Sequence, residues 1–450
     1  MLTRLSALLA VILVTSVAGV APAAAYEPDQ GGTFNVPKRW STRTTLFRLV
    51  THVERAIDAT PAGETILISS FLFDREQSAD ALIAACKRGV SVRVILDSDI
   101  ASQHAERLMK ALNGDNLQDE DGDGVPDDGN GDGTPDPPKT FSCGTDFPGA
   151  RVADPLTDSE AVASSGEASE DPVTWGGDRS YAKMCQGSCR GAGGNMHAKF
   201  YAFTRTGTAQ NVVMVSSANL NKGGALRGWN DLYTMNTSPE VNLQNFEVYQ
   251  TIHREMTDDD KADDVLREER VGPFTHRFFP LRNASRSNDP TLADLNKIGC
   301  RSSFGRTQVH VSQFYWADDR GIYLADKIVD LAQAGCNVSV IHAAAGGEVI
   351  SKLRDAARRH QLTLYDSRWD FNRNGEHEIR THEKYVLVKG QFGGDESAHM
   401  VMTGTQNWGK GSLTSGDDNT LNIALVSAWQ DYIQNWNDVR RHSREFPNRS

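Results

Sequence analysis

The two halves of the chain repeat the same order of predicted elements, and this repeat constrains the fold more than any other feature. Each half contains an apolar run typical of a buried strand, a segment typical of a helix that ends at a glycine, and a second apolar run. These segments are residues 64–74, 78–89 and 90–97 in the first half and residues 307–318, 321–335 and 336–343 in the second. Strand, helix and strand joined by short connections predict a βαβ unit and therefore a partly parallel sheet in each half.

A further helix is predicted before each of these units. Residues 41–61 place leucine, valine and isoleucine side chains on one helical face, and residues 291–299 are the counterpart in the second half. Each half is then predicted to run helix, strand, helix and strand, and to continue into a pair of strands. Two such halves facing each other predict an α/β pseudo-dimer of two layered sheets.

Each predicted strand pair begins at a His-x-Lys motif. His197 and Lys199 start the motif of the first half, and His382 and Lys384 start that of the second. Residues two apart in a strand share a face, so each motif presents an imidazole and an ammonium group together. An imidazole can act as a nucleophile, or as an acid and base, near neutral pH, and a lysine supplies positive charge.

The strand that returns from each motif ends in a hydroxyl-x-Asn turn. These residues are Ser217 and Asn219 in the first half and Thr405 and Asn407 in the second. Hydroxyl and carboxamide groups beside a lysine suit the nonbridging oxygens of a phosphate group. With two copies, one histidine can attack phosphorus while the other protonates the leaving oxygen. The two lysines then supply the positive charge, and no metal is needed.

The duplicated pattern resembles the phospholipase D superfamily, whose signature is His-x-Lys with a following Asp, and then Gly-Ser-x-Asn, usually twice per chain. The resemblance implies a pseudo-dimer of two α/β/α sandwich halves with mixed sheets that share one active site. It also implies that His197 is the nucleophile, that His382 is the general acid and base, and that catalysis needs no cofactor. The implied phosphate ligands are Lys199, Lys384, Asn219 and Asn407.

The chain departs from this signature at the motif aspartate, which is replaced by Thr204 and Lys389. The spacing from His to Asn is also longer than is usual in the family. Members of the family often carry an acidic residue, beyond the Asn, that orients a histidine. The matching positions here are Asp231, which is the candidate orienting residue, and Asn419, which can only hydrogen-bond. Asp418 is the immediate neighbour of Asn419.

A long insertion, at about residues 113–175, separates the second strand of the first half from its His-x-Lys motif. It is rich in Gly, Pro, Asp and Ser, and it repeats the pattern Asp-x-Asx-x-Asp-Gly-x-x-Asp. Alternating oxygen ligands around a glycine turn suit calcium, and the pattern resembles the loops of thrombospondin type 3 repeats. We expect a structural calcium site formed by Asp119, Asp121, Asp123, Asp127, Asp128, Asn130, Asp132 and Asp136. The alternative is a solvated acidic loop.

The first 25 residues predict a secretory signal peptide, because a short positive start is followed by a short apolar run and then by small residues. A retained membrane anchor is the alternative. Six cysteines, an even number, favour disulfides in a secreted chain. For Cys185 and Cys189 structural disulfides are favoured over a zinc site. Cys300 and Cys336 are one predicted pair.

We therefore predict two halves, residues 26–270 and 271–450, in a secreted monomer that acts on phospholipid at a membrane surface. The leading function is a phosphodiesterase of the phospholipase D type, which hydrolyses or transfers phosphatidyl groups through a phosphohistidine. A non-catalytic protein that binds phosphate and calcium is one alternative.

A metal-independent nuclease of the same superfamily, with nucleic acid as its substrate, is the other alternative. A basic groove around the site would favour the nuclease, whereas a rim of exposed apolar side chains, with Trp316 and Trp369 as candidates, would favour a lipid. The net charge is −12, and most of it lies in the acidic insertion. The rest of the chain is mildly acidic, which disfavours tight nonspecific binding of nucleic acid.

Overall fold

The computed structural model describes residues 26–98, 102–113, 180–191, 193–257, 266–370 and 372–447. The predicted signal peptide and all the predicted calcium ligands lie outside these residues. Every helix within them is too short or too polar to cross a membrane.

Among these described residues, the first half contains a seven-stranded sheet. Its strands are β1 (Gly31–Phe34), β2 (Thr65–Ser70), β3 (Ser91–Asp97), β4 (Tyr181–Cys185), β5 (Phe200–Thr206), β6 (Ala209–Ser216) and β8 (Asp231–Met235). Their order across the sheet is β1-β8-β6-β5-β2-β3-β4. The β2, β3 and β4 strands run parallel, and the other neighbouring pairs are antiparallel.

The second half contains a nine-stranded sheet. Its strands are β9 (Arg267–Val271), β10 (Phe274–Phe278), β13 (Gln308–Trp316), β14 (Asn337–Ala345), β15 (Leu362–Asp366), β17 (Lys384–Phe392), β18 (Asp395–Gly404), β19 (Asn419–Ile423) and β20 (Arg444–Phe446). Their order is β20-β15-β14-β13-β17-β18-β19-β10-β9. Two small ladders pair β11 (Arg301–Ser302) with β12 (Gly305–Arg306), and β7 (Gly228–Trp229) with β16 (Arg380–Thr381).

The two sheets have the same internal topology. Strands β8-β6-β5-β2-β3-β4 match β19-β18-β17-β13-β14-β15 in position, with parallel and antiparallel pairs at the same places. The predicted α/β pseudo-dimer with mixed sheets is confirmed, and both βαβ units are present. The hairpin of β9 and β10 belongs to the second sheet, so the division predicted between residues 270 and 271 falls at the end of β9.

Helices connect many of the strands, and two of them end just before glycines as their sequences predict. The described helices are α1 (Arg43–Leu46), α2 (Arg48–Asp58), α3 (Glu76–Lys87), α4 (Gln103–Asn113), α5 (Lys222–Arg227), α6 (Pro239–Thr257), α7 (Pro290–Asn296), α8 (Asp318–Gln333), α9 (Gly347–Arg358), α10 (Lys410–Thr414) and α11 (Val426–Arg441). Helices α3 and α8 stop just before Gly89 and Gly335, whose φ angles of 89° and 97° favour glycine.

Apolar side chains fill one layer between the two sheets and one layer on the far side of each sheet. Strand β5 illustrates this division, since Phe200 and Ala202 face the shared layer whereas Tyr201 and Phe203 face the outer layer of the first half. Helices α6 and α11 both contribute to the shared layer. Because this layer is built from both halves, burial of its apolar surface holds the halves together.

Two disulfides lie within the described residues. Cys300 is bonded to Cys336, which confirms that prediction, and Cys185 is bonded to Cys189. The sulfurs of Cys185 and Cys189 are thus used in a disulfide, as favoured over a zinc site.

A buried ion pair fixes the turn that carries Asn407. The guanidinium of Arg320 donates two hydrogen bonds to the Asp289 carboxylate, at 2.8 and 3.2 Å, and a third to the backbone oxygen of Asn407 at 2.9 Å. Both charged side chains are almost fully buried. Burial alone would raise the pKa of Asp289, but the charge and hydrogen bonds of Arg320 outweigh burial and lower it.

We predict that Arg320→Met lowers the free energy of unfolding by about 3–5 kcal/mol, because Asp289 would keep a buried charge with no cation beside it. Chemical denaturation followed by tryptophan fluorescence measures this change. Arg358→Met is the matched control, since Arg358 pairs with Asp355 at the exposed surface and should cost less than about 1 kcal/mol. Equal losses in the two variants would contradict this view of the buried pair.

Candidate active site

The imidazole of His197 is held by two consecutive residues of the opposite half. The His197 backbone N–H donates to the backbone oxygen of Asp417 at 2.9 Å. Its Nδ1 lies 2.7 Å from a carboxylate oxygen of Asp418. Since an ionised carboxylate only accepts, Nδ1 carries the proton in this contact, and Nε2 is left as the reactive nitrogen.

His382 is held in the same way, with the roles of the halves exchanged. Its backbone N–H donates to the backbone oxygen of Trp229 at 2.8 Å, and its Nδ1 lies 2.9 Å from the carboxamide oxygen of Asn230. Each histidine is thus fixed by a backbone contact and a side-chain contact from the other half. One difference remains, since Asp418 carries a charge and Asn230 does not.

An aromatic ring supports each His-x-Lys pair. Phe71 packs on His197 with ring centres 5.1 Å apart, and Phe314 packs on His382 at 4.8 Å. The ammonium groups lie above the same two rings, Lys199 at 5.3 Å from the Phe71 centre and Lys384 at 5.1 Å from the Phe314 centre. Each ammonium also donates to the backbone oxygen of its own motif histidine, at 2.5 and 2.6 Å.

The four motif side chains belong to one electrostatic site. The pKa of His382 is held well below its ordinary value, first by burial and then by the charges of Lys384, Lys199 and His197. The pKa of His197 falls to about 4 for the same first reason, with Lys199 adding to the effect and Asp418 opposing it. Charges from each half therefore shift the pKa values of residues in the other half, within a single centre.

Both lysines are buried in this centre, where the charge of Asp418 opposes the lowering of their pKa values only in part. Burial, followed by the charge of Lys384, lowers the pKa of Lys199 strongly, and burial lowers the pKa of Lys384 to about 7. Like charges close together in a poorly solvated site disfavour each other. A bound anion would relieve this repulsion, so the site is suited to a phosphate group.

The two predicted asparagine ligands have different surroundings. The side-chain oxygen of Asn219 accepts from the Leu72 N–H at 3.1 Å, so its amide nitrogen is the end available to a ligand, and Asn219 lines the pocket beside His382. The side-chain oxygen of Asn407 is buried and has no hydrogen-bond partner among the described residues. The amide nitrogen of Asn219 therefore faces the pocket side of the site, whereas Asn407 is positioned mainly through its backbone bond to Arg320.

The two predicted hydroxyl groups make hydrogen bonds within the protein. Ser217 accepts from the Asp231 N–H at 3.0 Å, and Thr405 donates to the Asp418 carboxylate at 2.7 Å while accepting from the Asn419 N–H at 2.9 Å. Both side chains are fully buried. Their contacts support the segments that hold the histidines, and the expectation that they bind phosphate oxygens stays a prediction.

The orienting residues lie one position before those predicted. The Asp231 carboxylate accepts from Thr403 at 2.5 Å and from Tyr432 at 2.9 Å, so it does not orient a histidine. The Asn419 side chain accepts from the Lys199 N–H at 3.1 Å. Asn230 and Asp418 make the histidine contacts instead, because side chains alternate along a strand and only one of two neighbours can face the site.

The residues that replace the motif aspartate lie away from the histidines. Thr204 donates to Glu64 at 2.7 Å and accepts from the Thr65 N–H at 2.8 Å, so it joins β5 to β2. The ammonium of Lys389 lies 5.1 Å above the ring of Trp429. Neither substitution removes a group from the site itself.

A pocket of about 540 Å³ opens beside His382. Residues of both halves line it: Leu72, Asn219, Asn221, Gly223, Gly224, Arg227, Gly228 and Asn230 from the first, and Phe314, Glu376, His377, Glu378, Arg380 and His382 from the second. A volume of this size is typical of a small-molecule site. No local sequence pattern marks this pocket, since its walls come from segments far apart in the chain.

Comparison with known proteins identifies the family to which this architecture is similar. A family profile described as "Cardiolipin synthase, PLD-like domain" matches residues 56–256 and 304–439, which is most of the chain. Among curated proteins, no sequence matches.

Three solved structures share parts of the fold. A polyphosphate kinase from Porphyromonas gingivalis is 12% identical, with a TM-score of 0.47 over 88% of this chain and 48% of that one. A phosphatidylserine synthase from Haemophilus influenzae is 11% identical, with a TM-score of 0.47 over 89% and 86% of the two chains. The yeast tyrosyl-DNA phosphodiesterase is 8% identical, with a TM-score of 0.41 over 88% and 90%. This chain thus spans about half the length of the polyphosphate kinase.

A buried glutamate, Glu383, stands between the two motif residues of the second half. Glu383 is fully buried and accepts from Ser312 at 3.1 Å and from Asn435 at 2.6 Å. Burial, followed by the charge of Asp231, raises its pKa from 4.5 to about 8. The folded protein therefore binds this proton more tightly than the unfolded chain does.

This difference predicts a specific pH dependence of stability. Between pH 5 and pH 8 the unfolded chain has lost the Glu383 proton and the folded protein keeps it. Its contribution to stability is therefore present below about pH 4.5 and is lost as the pH rises towards 8. We predict that the stability of the wild type relative to Glu383→Gln falls over this range by about 1.4 kcal/mol per pH unit at most.

Chemical denaturation at several pH values measures this difference, because the other titrating groups are common to both proteins. Glu247→Gln, on the exposed surface of α6, is the control and should leave the slope unchanged. A stability difference between wild type and Glu383→Gln that does not depend on pH would contradict the assignment.

Proposed function

The chain belongs to the phospholipase D superfamily, and we propose that it is a phosphodiesterase that cleaves phospholipids on the headgroup side through a phosphohistidine. The observation that carries this proposal is the crossed pair of contacts that sets the two histidines, Asp418 on His197 and Asn230 on His382. Two imidazoles fixed in one centre, with two lysines beside them, provide a nucleophile, an acid and a phosphate-binding charge.

His197 is the nucleophile in this proposal. Its lowered pKa keeps the ring neutral at neutral pH, and its contact with Asp418 leaves Nε2 with the lone pair. The Nε2–P bond forms as the bond from phosphorus to the leaving oxygen breaks. Asp418 then stabilises the positive charge that the ring acquires, as a carboxylate does for an imidazolium.

His382 is the general acid and then the general base. It gives its proton to the leaving oxygen, takes a proton from the attacking water, and the water oxygen displaces His197 from phosphorus. Before substrate binds, burial and the nearby lysines disfavour the protonated ring. The negative charge of a bound phosphodiester opposes those lysine charges and raises the pKa of His382. Substrate binding therefore favours the protonated form of His382, which donates to the leaving oxygen.

The net charge of the chain, more than the size of the pocket, supports a lipid headgroup as the leaving group. A volume of about 540 Å³ accommodates a compact headgroup, and the chain, at a net charge of −12, has no net positive charge that would attract a polyanion. The predicted tryptophan rim does not support the lipid proposal, since Trp316 is fully buried and Trp369 is half-buried, with its N–H bonded to the backbone of His442.

One observation favours the nuclease as a second candidate. A groove of about 700 Å³ on the first half, near the start of α5, is rich in positive side chains. Its charged lining comprises Arg43, Arg48, Arg55, Arg75 and Lys222, against Asp74 and Glu76. Such a groove suits a phosphate backbone.

The proposal extends to cell compartment and to calcium. Export fits the two disulfides, because these bonds persist in oxidising compartments. We propose monomeric export to the cell exterior, with calcium held only by the acidic insertion and not by the catalytic centre. A product assay on mixed phospholipids and on DNA, with and without chelator, separates the two substrate classes, and the proposed chemistry persists in chelator.

We predict that His382→Ala traps a covalent phosphohistidine on His197, because attack remains possible on a diester with a good leaving group while water is no longer activated. Incubation with a p-nitrophenyl phosphodiester should give one burst of nitrophenol and one acid-labile adduct by intact mass. Turnover should fall by at least about a thousandfold. His197→Ala should give neither burst nor adduct.

If the His197→Ala and His382→Ala variants both turn over substrate at the wild-type rate, this mechanism is ruled out. Retained binding of phosphate without any turnover in the wild type would instead favour the non-catalytic alternative.

A further inference from the structure

Two arginines from opposite halves line the pocket beside His382. Arg227 is the last residue of α5, and the residue after it, Gly228, pairs with Arg380 in the ladder of β7 and β16. The same ladder continues into the backbone contact that fixes His382. The pairing of the halves that builds the catalytic centre therefore also brings one guanidinium from each half to this pocket.

Neither guanidinium has an ion-pair partner among the residues that the structure describes. Glu376, His377 and Glu378 also line the pocket, but no carboxylate lies within ion-pair distance of Arg227 or Arg380. The pKa of Arg380 is lowered by burial first and by the charge of Arg227 second. Two neighbouring like charges repel each other, and an anion placed between them would remove that cost.

The arginines lie on the side where the leaving group departs. The Arg380 guanidinium is 5.0 Å from the centre of the Phe314 ring, and the same ring packs on His382 at 4.8 Å. Since His382 protonates the leaving oxygen, a group attached to that oxygen must extend into the pocket that the arginines line.

We propose that Arg227 and Arg380 form a subsite for an anionic group, a phosphate or a carboxylate, carried by the leaving headgroup of a phospholipid. This inference rests on the proposed function, since it takes His382 as the acid. Guanidinium groups bind phosphate and carboxylate through paired hydrogen bonds. The enzyme would therefore select lipids by the charge of the headgroup it releases.

Two short-chain lipids that differ by one group test the subsite. Phosphatidylglycerophosphate and phosphatidylglycerol, both supplied as monomers, differ only in a terminal phosphate on the leaving group. We expect the wild type to prefer the phosphorylated headgroup by about tenfold or more in kcat/KM. Arg380→Gln and Arg227→Gln should each reduce that ratio by about tenfold, and Arg380→Lys should reduce it less. Arg301→Gln, an exposed arginine outside the pocket, is the control for loss of one positive charge.

The ratio of kcat/KM for the two lipids, in the wild type and in the variants, decides whether the subsite exists. A ratio that falls in the two glutamine variants and not in Arg301→Gln supports the subsite. A wild-type ratio near one, or a ratio unchanged in both variants, overturns it while leaving the phosphodiesterase intact. If neither lipid is cleaved, the proposed function fails first. If a terminal phosphate instead accelerates cleavage of a thymidine dinucleotide and neither lipid reacts, the subsite serves nucleic acid and the lipid assignment is overturned.

Discussion

The crossed contacts of the two histidines are the constraint on which the rest of the structure depends. His197 is held by Asp417 and Asp418, and His382 by Trp229 and Asn230, each pair from the opposite half. Neither half can orient its own imidazole, so a complete site exists only when the two sheets pack face to face. The shared apolar layer between the sheets therefore has a catalytic consequence: it sets the register in which these contacts form.

The electrostatics of the centre follow from that packing. Closing the halves together buries two lysines and two histidines in one place, and burial with mutual repulsion disfavours the charged forms of these groups. In the proposed mechanism, a phosphodiester brings further negative charge to this centre. Asp418 and Asn230 make the two histidines different. A carboxylate stabilises the positive charge that an imidazole gains when it bonds to phosphorus, and a carboxamide does not. In the proposed mechanism, two histidines of similar geometry therefore take different roles.

The fold and the main site residues could be predicted from the sequence because both leave periodic or paired signals. Buried strands, glycine helix ends and the doubled His-x-Lys motif all recur in each half. The orienting residues were missed by one position, since Asn230 and Asp231 are adjacent and only the tertiary pairing decides which one faces the site. The pocket arginines carry no local signal at all, because Arg227 and Arg380 become neighbours only through the ladder of β7 and β16.

The most direct test of the account is a crystal structure of the protein with orthovanadate, which takes up the five-coordinate geometry of phosphorus in transfer. We predict one vanadium atom bonded to Nε2 of His197, with Nε2 of His382 at hydrogen-bond distance from the apical oxygen opposite and with Lys199 and Lys384 on the equatorial oxygens. Vanadate bound to a single histidine with the other ring turned away, or two separate vanadates, would contradict a centre shared by the two halves.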